Sequence, residues 1–177
     1  MFESQRLRFR PHRELDLEPF CAMQMDAEFR QYVGGKARSR EGAERKFWST
    51  YFPAPKDELA LWATEWKANG EYIGYCGIYP HFGEDGIIEG EGMLAFYLAR
   101  RYWGRGLATE AGAFFLTWAF ETKGLSRVVA SLEEGNMASR RVLEKLNVRY
   151  VNREAGRRVF LNYEILPDEW NMRPASG

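Results

Sequence analysis

Residues 93–124 constrain this chain more than any other stretch, because they read as strand, glycine-bearing turn and helix in immediate succession. Met93 to Leu98 is an almost unbroken apolar run, the pattern of a strand buried on both faces. Leu107 to Thr122 carries apolar residues at 107, 111, 114, 115, 118 and 119, a stripe with the helical period, and Gly124 follows as a stop signal. Between them lies Arg101-Tyr-Trp103-Gly104-Arg105-Gly106. The first turn of a helix offers unpaired N–H groups and the positive end of the helix dipole. Gly104 and Gly106 lack the Cβ that would hold phosphate oxygens away from the backbone. The segment is therefore suited to gripping a diphosphate, with Arg100, Arg101 and Arg105 adding charge.

The remaining chain supplies a sheet for this unit. Leu7 to Phe9 alternates as a short first strand, and Asp16 announces a helix over Leu17 to Met25. Asp26 caps a second helical piece closed by Gly34-Gly35, and Ser39 opens a third, Arg40 to Tyr51, ended by Pro53 and Pro55. Period two then takes over: a strand around Leu59 to Trp66, a turn at Lys67 to Gly70, and a strand over Tyr72 to Ile78. His81 to Glu91 reads as an acidic, glycine-rich loop. Arg127 to Leu132 is a β-branched strand, and Asn136 caps a helix that Asn147 stops in the left-handed conformation. Two last strands, 148–153 and 158–165, pair across Ala155-Gly156. The predicted class is α/β: a mixed, mostly antiparallel central sheet flanked by helices, in one domain spanning 1–177.

Composition excludes several function classes. Lys plus Arg number 25 and Asp plus Glu number 25, so the chain lacks the basic excess of a general nucleic-acid binder. Cys21 and Cys76 are isolated, and His12 and His81 are the only histidines, which leaves no zinc ligand pattern and no metal site. The longest apolar run, Ala111 to Phe120, is too short to span a bilayer, and the N-terminus lacks a signal-peptide layout. A cytoplasmic protein with no membrane partner is the expectation.

Two nucleotide motifs fail on spacing. A dinucleotide fingerprint needs a third glycine where Thr109 stands. A P-loop fails because Gly35-Lys36 is followed by Ala37 and preceded by Arg30 at the first-glycine position. The pattern R-x-x-G-x-G, followed by L-A-T-E-A, instead resembles the acyl-CoA loop of the GNAT N-acetyltransferases. Arg6 to Arg10 resembles the opening strand of the ribosomal-protein-alanine (RimJ/RimL-type) branch, Tyr72 to Gly77 its central strand, and Asn136 to Leu146 its second cofactor helix.

The resemblance implies an acetyl-CoA-dependent enzyme acetylating a primary amine on a protein N-terminus or a small molecule. It implies that amides from Trp103 through Gly104, Arg105 and Gly106 to Leu107 hold the CoA pyrophosphate, beside Arg101. The main chain of Phe96, Tyr97 and Leu98 would pair with the pantetheine arm where this strand splays from 127–132. Asn136 and Ser139 would flank the thiol end. Residues 1–56 would shape the acceptor side and 57–177 the sheet and acetyl-CoA region, and the resemblance also allows a homodimer.

An alkyl ammonium with a pKa near 10 is only about 0.1% neutral at pH 7, a handicap of roughly 4 kcal/mol. The enzyme therefore needs a proton acceptor, a group to receive the oxyanion, and help for the departing sulfur. Relatives in this branch often carry Glu where Met93 stands, so Glu91, two residues earlier and on the same side of an extended strand, is the candidate base. Leu143 stands where many relatives have a Tyr acid, so Ser139 is the substitute. His81 is a further possible base. Loss of both usual groups leaves open a non-catalytic acyl-CoA-binding module, and the acceptor itself is not readable.

Overall fold

The period-two segments assemble into one eight-stranded sheet. The computed structural model describes residues 1–52 and 59–172, so Pro53 and Pro55, expected to end the third helix, lie outside the described residues. The strands are β1 (Phe2–Glu3), β2 (Leu7–Arg10), β3 (Ala60–Trp66), β4 (Glu71–Gly83), β5 (Gly86–Leu98), β6 (Arg127–Glu133), β7 (Arg149–Ala155) and β8 (Val159–Ile165). They lie side by side as β1-β2-β3-β4-β5-β6-β8-β7. Every neighbouring pair is antiparallel except β5 with β6, which is the expected mixed α/β arrangement.

Helices cover both faces. On one, α1 (Leu17–Met25), α2 (Ala27–Arg30) and α3 (Arg40–Lys46) bury Phe20, Phe29 and Phe47 against Ala63, Tyr72 and Tyr75. On the other, α4 (Leu107–Thr117), α5 (Met137–Lys145) and α6 (Pro167–Asn171) bury Leu107, Phe115, Leu143 and Trp170 against Phe9, Ile73 and Leu94. A π turn carries α3 on to Tyr51 and another carries α4 to Thr122. Local caps fix the helix starts: Asp26 accepts from the Glu28 and Phe29 amides at 2.9 and 3.3 Å, and Ser39 from the Gly42 amide at 3.1 Å. Asn147, at φ 57°, ends α5 as the sequence predicts.

The segment 81–91 is not a loop. β4 runs to Gly83 and β5 starts at Gly86, leaving Glu84 and Asp85 at the turn. A register shift between Pro80 and Phe82 and a left-handed Gly90 (φ 74°) absorb the irregularity that the glycines signal, while Phe82 opposite Ile87 keeps the ladder going. Two short elements, β1 and α6, have too few residues to show a period in sequence. Below the sheet, Arg10 is only 4% exposed yet fully neutralised: it grips Asp16 through two bonds of 2.6 and 2.7 Å and Glu65 at 2.5 Å.

The feature that creates a site is a short ladder. β5 and β6 pair only through Glu91–Arg127, Gly92–Val128 and Met93–Val129, whereas β5 stays paired with β4 as far as Leu98. Beyond Met93 the sheet opens.

Candidate active site

The opening exposes one edge of β5, and the β4 register decides which groups face it. The Ala99 amide donates to the Ile73 carbonyl at 2.8 Å. By alternation Tyr97 also turns its amide and carbonyl towards β4, while Phe96 and Leu98 turn theirs to the opening. The Leu98 carbonyl is taken by the Trp103 indole Nε1 at 2.7 Å. An amide and carbonyl at Phe96 and an amide at Leu98 are left facing the cleft, with the Tyr97 side chain in its wall.

The turn between β5 and α4 ends this cleft. Gly104 and Gly106 adopt φ 73° and 74°, a region that only glycine enters without strain. A Cβ at Gly104 would meet no atom within 4 Å, and at Gly106 the nearest is Arg6 Nη2 at 3.6 Å. Among the described residues nothing accepts from the amides of Gly104 to Thr109, and the first helical bond runs from the Glu110 amide to the Gly106 carbonyl at 3.0 Å. The Trp103 amide, by contrast, already donates to the Arg100 carbonyl at 3.0 Å. The free donors thus run from 104 to 109.

Residues remote in sequence hold this turn in place. Arg6 Nη1 donates to the Arg105 carbonyl at 3.0 Å, and Arg6 Nε meets Glu110 at 2.6 Å. Glu110 also accepts from the Ser4 hydroxyl and the Arg6 amide, each at 2.6 Å. Burial opposes its charge, but these donors prevail and hold the Glu110 carboxyl below its usual range. The side chains of Arg101 and Arg105 face elsewhere: Arg101 lies 3.7 Å from Glu71, and Arg105 lies over the Trp66 and Tyr102 rings at 5.1 and 5.8 Å. The cations that do line the cleft are Arg141 and Lys145, one helical turn apart on α5.

The cleft holds about 540 Å³, and its far wall is the start of α5. Asn136 Oδ1 accepts from the Ser139 amide at 3.1 Å, so the asparagine is a helix cap, and both residues line the cleft. Phe29, Tyr32 and Val33 close it from the acceptor-side helices. Leu143 packs in the core, away from the cleft.

Glu91 sits on β5 two residues before the sheet opens, and neither it nor its partner His81 lines this cleft. Its Oε2 is shared between Arg127 Nη2 and His81 Nδ1, both at 2.8 Å. Burial raises its pKa, but the bonds from Arg127 and His81 outweigh that and leave it lowered. A carboxylate only accepts, so His81 Nδ1 is the donor in this bond and Nε2 is the ring nitrogen outside the pair. Sequence spacing could not reveal this pair, because the strand that joins it reads as loop.

The chain matches the model of the acetyltransferase (GNAT) domain over residues 6–149. YkkB of Bacillus subtilis, described as uncharacterized, is 36% identical over 92 residues, 52% of this chain and 52% of YkkB. The uncharacterized N-acetyltransferase p20 of Bacillus licheniformis is 32% identical over 81 residues, 46% of this chain and 43% of its own. The chain thus spans about half the length of the curated relatives it matches. In fold it is similar to a GNAT-family acetyltransferase from Bacillus anthracis, with a TM-score of 0.79 at 20% identity, covering 94% of this chain and 98% of the other. A Vibrio cholerae protein provisionally described as a ribosomal-protein-serine acetyltransferase gives 0.73 at 17%, covering 93% and 96%. With its split sheet, glycine turn and matched domain, the chain belongs to the GNAT acetyltransferase domain family.

Proposed function

We propose that the protein transfers an acetyl group from acetyl-CoA to a primary amine, in the manner of the RimJ/RimL-type branch. The observation that carries this reading is the row of unpartnered amides from Gly104 to Thr109, with open space where a Gly104 side chain would project. These amides would hold the pyrophosphate, Phe96 and Leu98 would pair with the pantetheine arm, and Asn136 and Ser139 would lie at the sulfur end. Arg141 and Lys145 add positive charge along the same cleft. Bound acetyl-CoA supplies an activated acyl carbon that an amine attacks directly.

The chain's own task is then proton removal. We assign the acceptor to His81 Nε2, with Glu91 as the positioning residue that fixes its tautomer. Arg127 holds Glu91 in turn, bridging it to Glu164 at 3.0 Å across the sheet. The free buried thiols Cys21 and Cys76 favour a reducing, cytoplasmic setting. A second reading, an acyl-CoA-binding module without turnover, is favoured by Met93, whose sulfur accepts from the Tyr79 hydroxyl at 2.7 Å, and by the core-packed Leu143.

Calorimetric titration with acetyl-CoA tests the site, and thiol release over a panel of amines tests the chemistry. Binding with turnover supports transfer, and binding without turnover on any amine supports the second reading. Folded protein that ignores acetyl-CoA at high micromolar concentration overturns both.

A further inference from the structure

Two arginines are buried among the described residues, Arg10 and Arg30, and only the first is neutralised by carboxylates. Arg10 has Asp16 and Glu65, and the half-buried Arg127 and Arg158 likewise have Glu91 with Glu164 and Glu133. Arg30 is only 7% exposed and has no carboxylate among the described residues. Its guanidinium meets neutral oxygens alone, the Lys36 carbonyl at 3.1 Å and Gln24 Oε1 at 3.3 Å. The backbone is shaped around it, since a Cβ on left-handed Gly34 would stand 2.3 Å from Arg30 Nη2. Two further cations converge here, without an acidic partner among the described residues. Arg38 is tied to α1 by its amide, which donates to the Gln24 carbonyl at 2.9 Å, and its Nε is buried without a partner. Lys46 lies 5.8 Å over the Tyr51 ring.

These cations flank a run of tyrosines that leads to the cleft. Tyr51 packs tilted against Tyr75 at 5.0 Å and Tyr75 against Tyr97 at 4.9 Å, and Gln24 Nε2 donates to the Tyr75 hydroxyl at 3.0 Å. Tyr97 lines the cleft, as do Phe29 and Tyr32 beside Arg30. Burial and then the neighbouring Arg38 push the Arg30 pKa down, and burial, Arg38 and Arg30 do the same to Lys46. Uncompensated charge in a low-dielectric site is costly unless something anionic enters it.

We propose that Arg30, Arg38 and Lys46 form an anion subsite on the acceptor side, so that the amine acetylated by this protein carries a carboxylate or phosphate. This rests on the acetyl-transfer reading and narrows its acceptor to amino acids or aminoalkyl phosphates. Polyamines and aminoglycosides, being polycations, are disfavoured by the same charges.

The test uses matched pairs: each of the common amino acids against its carboxamide, and 2-aminoethyl phosphate against 2-aminoethanol. Melting shifts report binding without turnover, and thiol release with acetyl-CoA reports transfer. At least one anionic member is expected to raise the Tm and to exceed its neutral partner in kcat/KM by about tenfold or more. The pair that responds tells carboxylate from phosphate. Arg38→Met and Lys46→Met each bring that ratio towards one, with acetyl-CoA affinity unchanged within about twofold; Arg45→Met, on an exposed turn of α3, leaves the ratio intact. Arg30 is left in place because its burial makes its replacement a folding test as well.

The proposal is overturned if no anionic member outperforms its neutral partner in either readout, or if both variants keep the full preference. A variant that weakens acetyl-CoA while sparing acceptor preference assigns these cations to the CoA phosphates and also overturns it. Failure of acetyl-CoA to bind at all sinks the transferase reading instead, while the melting shifts still decide the anion subsite.

Discussion

His12→Phe gives the sharpest quantitative test of the acceptor-side core. His12 is 3% exposed, ringed by Phe47, Tyr51, Tyr72 and Tyr75, and among the described residues neither ring nitrogen has a hydrogen-bond partner. Burial is the main cause that pulls its pKa from 6.5 down to about 4, with Asp16 and the Leu61 backbone opposing and Arg10 pushing the same way. Between these two values the unfolded chain binds a proton that the folded chain refuses, so stability falls as pH drops through this window. At pH 5 the unfolded imidazole is about 97% protonated and the folded one about 10%, which costs about 2 kcal/mol relative to pH 7.5. His12→Phe removes that dependence. Urea unfolding at both pH values is the assay: the parent should lose about 2 kcal/mol more than the variant between them. The variant should be at least as stable at pH 7.5, since it buries no orphaned nitrogen. Equal losses in the two proteins would show that His12 is solvated or charged in the fold, and the argument from burial would fail.

Other perturbations separate binding, chemistry and scaffold. Gly104→Val places a branched side chain at φ 73° in otherwise open space. It should abolish acetyl-CoA binding in calorimetry while costing only about 1–2 kcal/mol of stability from backbone strain. Gly77→Ala puts a Cβ 2.0 Å from the Ala60 carbonyl oxygen, so β3 and β4 must separate; urea unfolding should show a loss of about 3 kcal/mol. His81→Gln should lower kcat about a hundredfold at pH 7 with acetyl-CoA affinity unchanged, and a variant retaining full kcat would remove His81 from the chemistry.

What the sequence shows of this molecule is what neighbouring residues decide. Asp26, Ser39 and Asn136 bond to amides two or three residues away, so their caps are visible in the sequence. Gly104 and Gly106 are equally legible, because the left-handed turn they make is a property of the residues themselves. The Arg6–Glu110 clamp joins residues 104 apart, and Glu91 meets Arg127 across 36; no local pattern encodes either. The same applies to Arg101 and Arg105, whose charge is readable but whose direction is set by Glu71, Trp66 and Tyr102 on β3, β4 and the preceding turn. The extension of β4 and β5 past His81 was hidden because glycines and acids signal a loop, whereas cross-strand partners supplied the pairing.

The phase of α5 bears on which proton matters most. With 3.6 residues per turn, Ser139 falls between the cleft stripe of Ala138, Val142 and Lys145 and the core stripe of Leu143 and Leu146. A tyrosine at 143 would place its ring in that core, so the hydroxyl nearest the sulfur end belongs to Ser139. The energetic demand there is small. A sulfur that departs as thiolate, its thiol having an ordinary pKa near 8.5, lies only about 2 kcal/mol above the protonated thiol at pH 7, against roughly 4 kcal/mol to strip an ammonium of pKa near 10. Proton acceptance at His81 should therefore govern the rate more than proton donation at Ser139. Ser139→Ala is expected to lower kcat by about tenfold or less, well short of the His81→Gln loss, in stopped-flow thiol release at saturating acetyl-CoA. If the order is reversed, sulfur departure limits the reaction and the assignment of the proton acceptor to the β4–β5 pair loses its energetic basis.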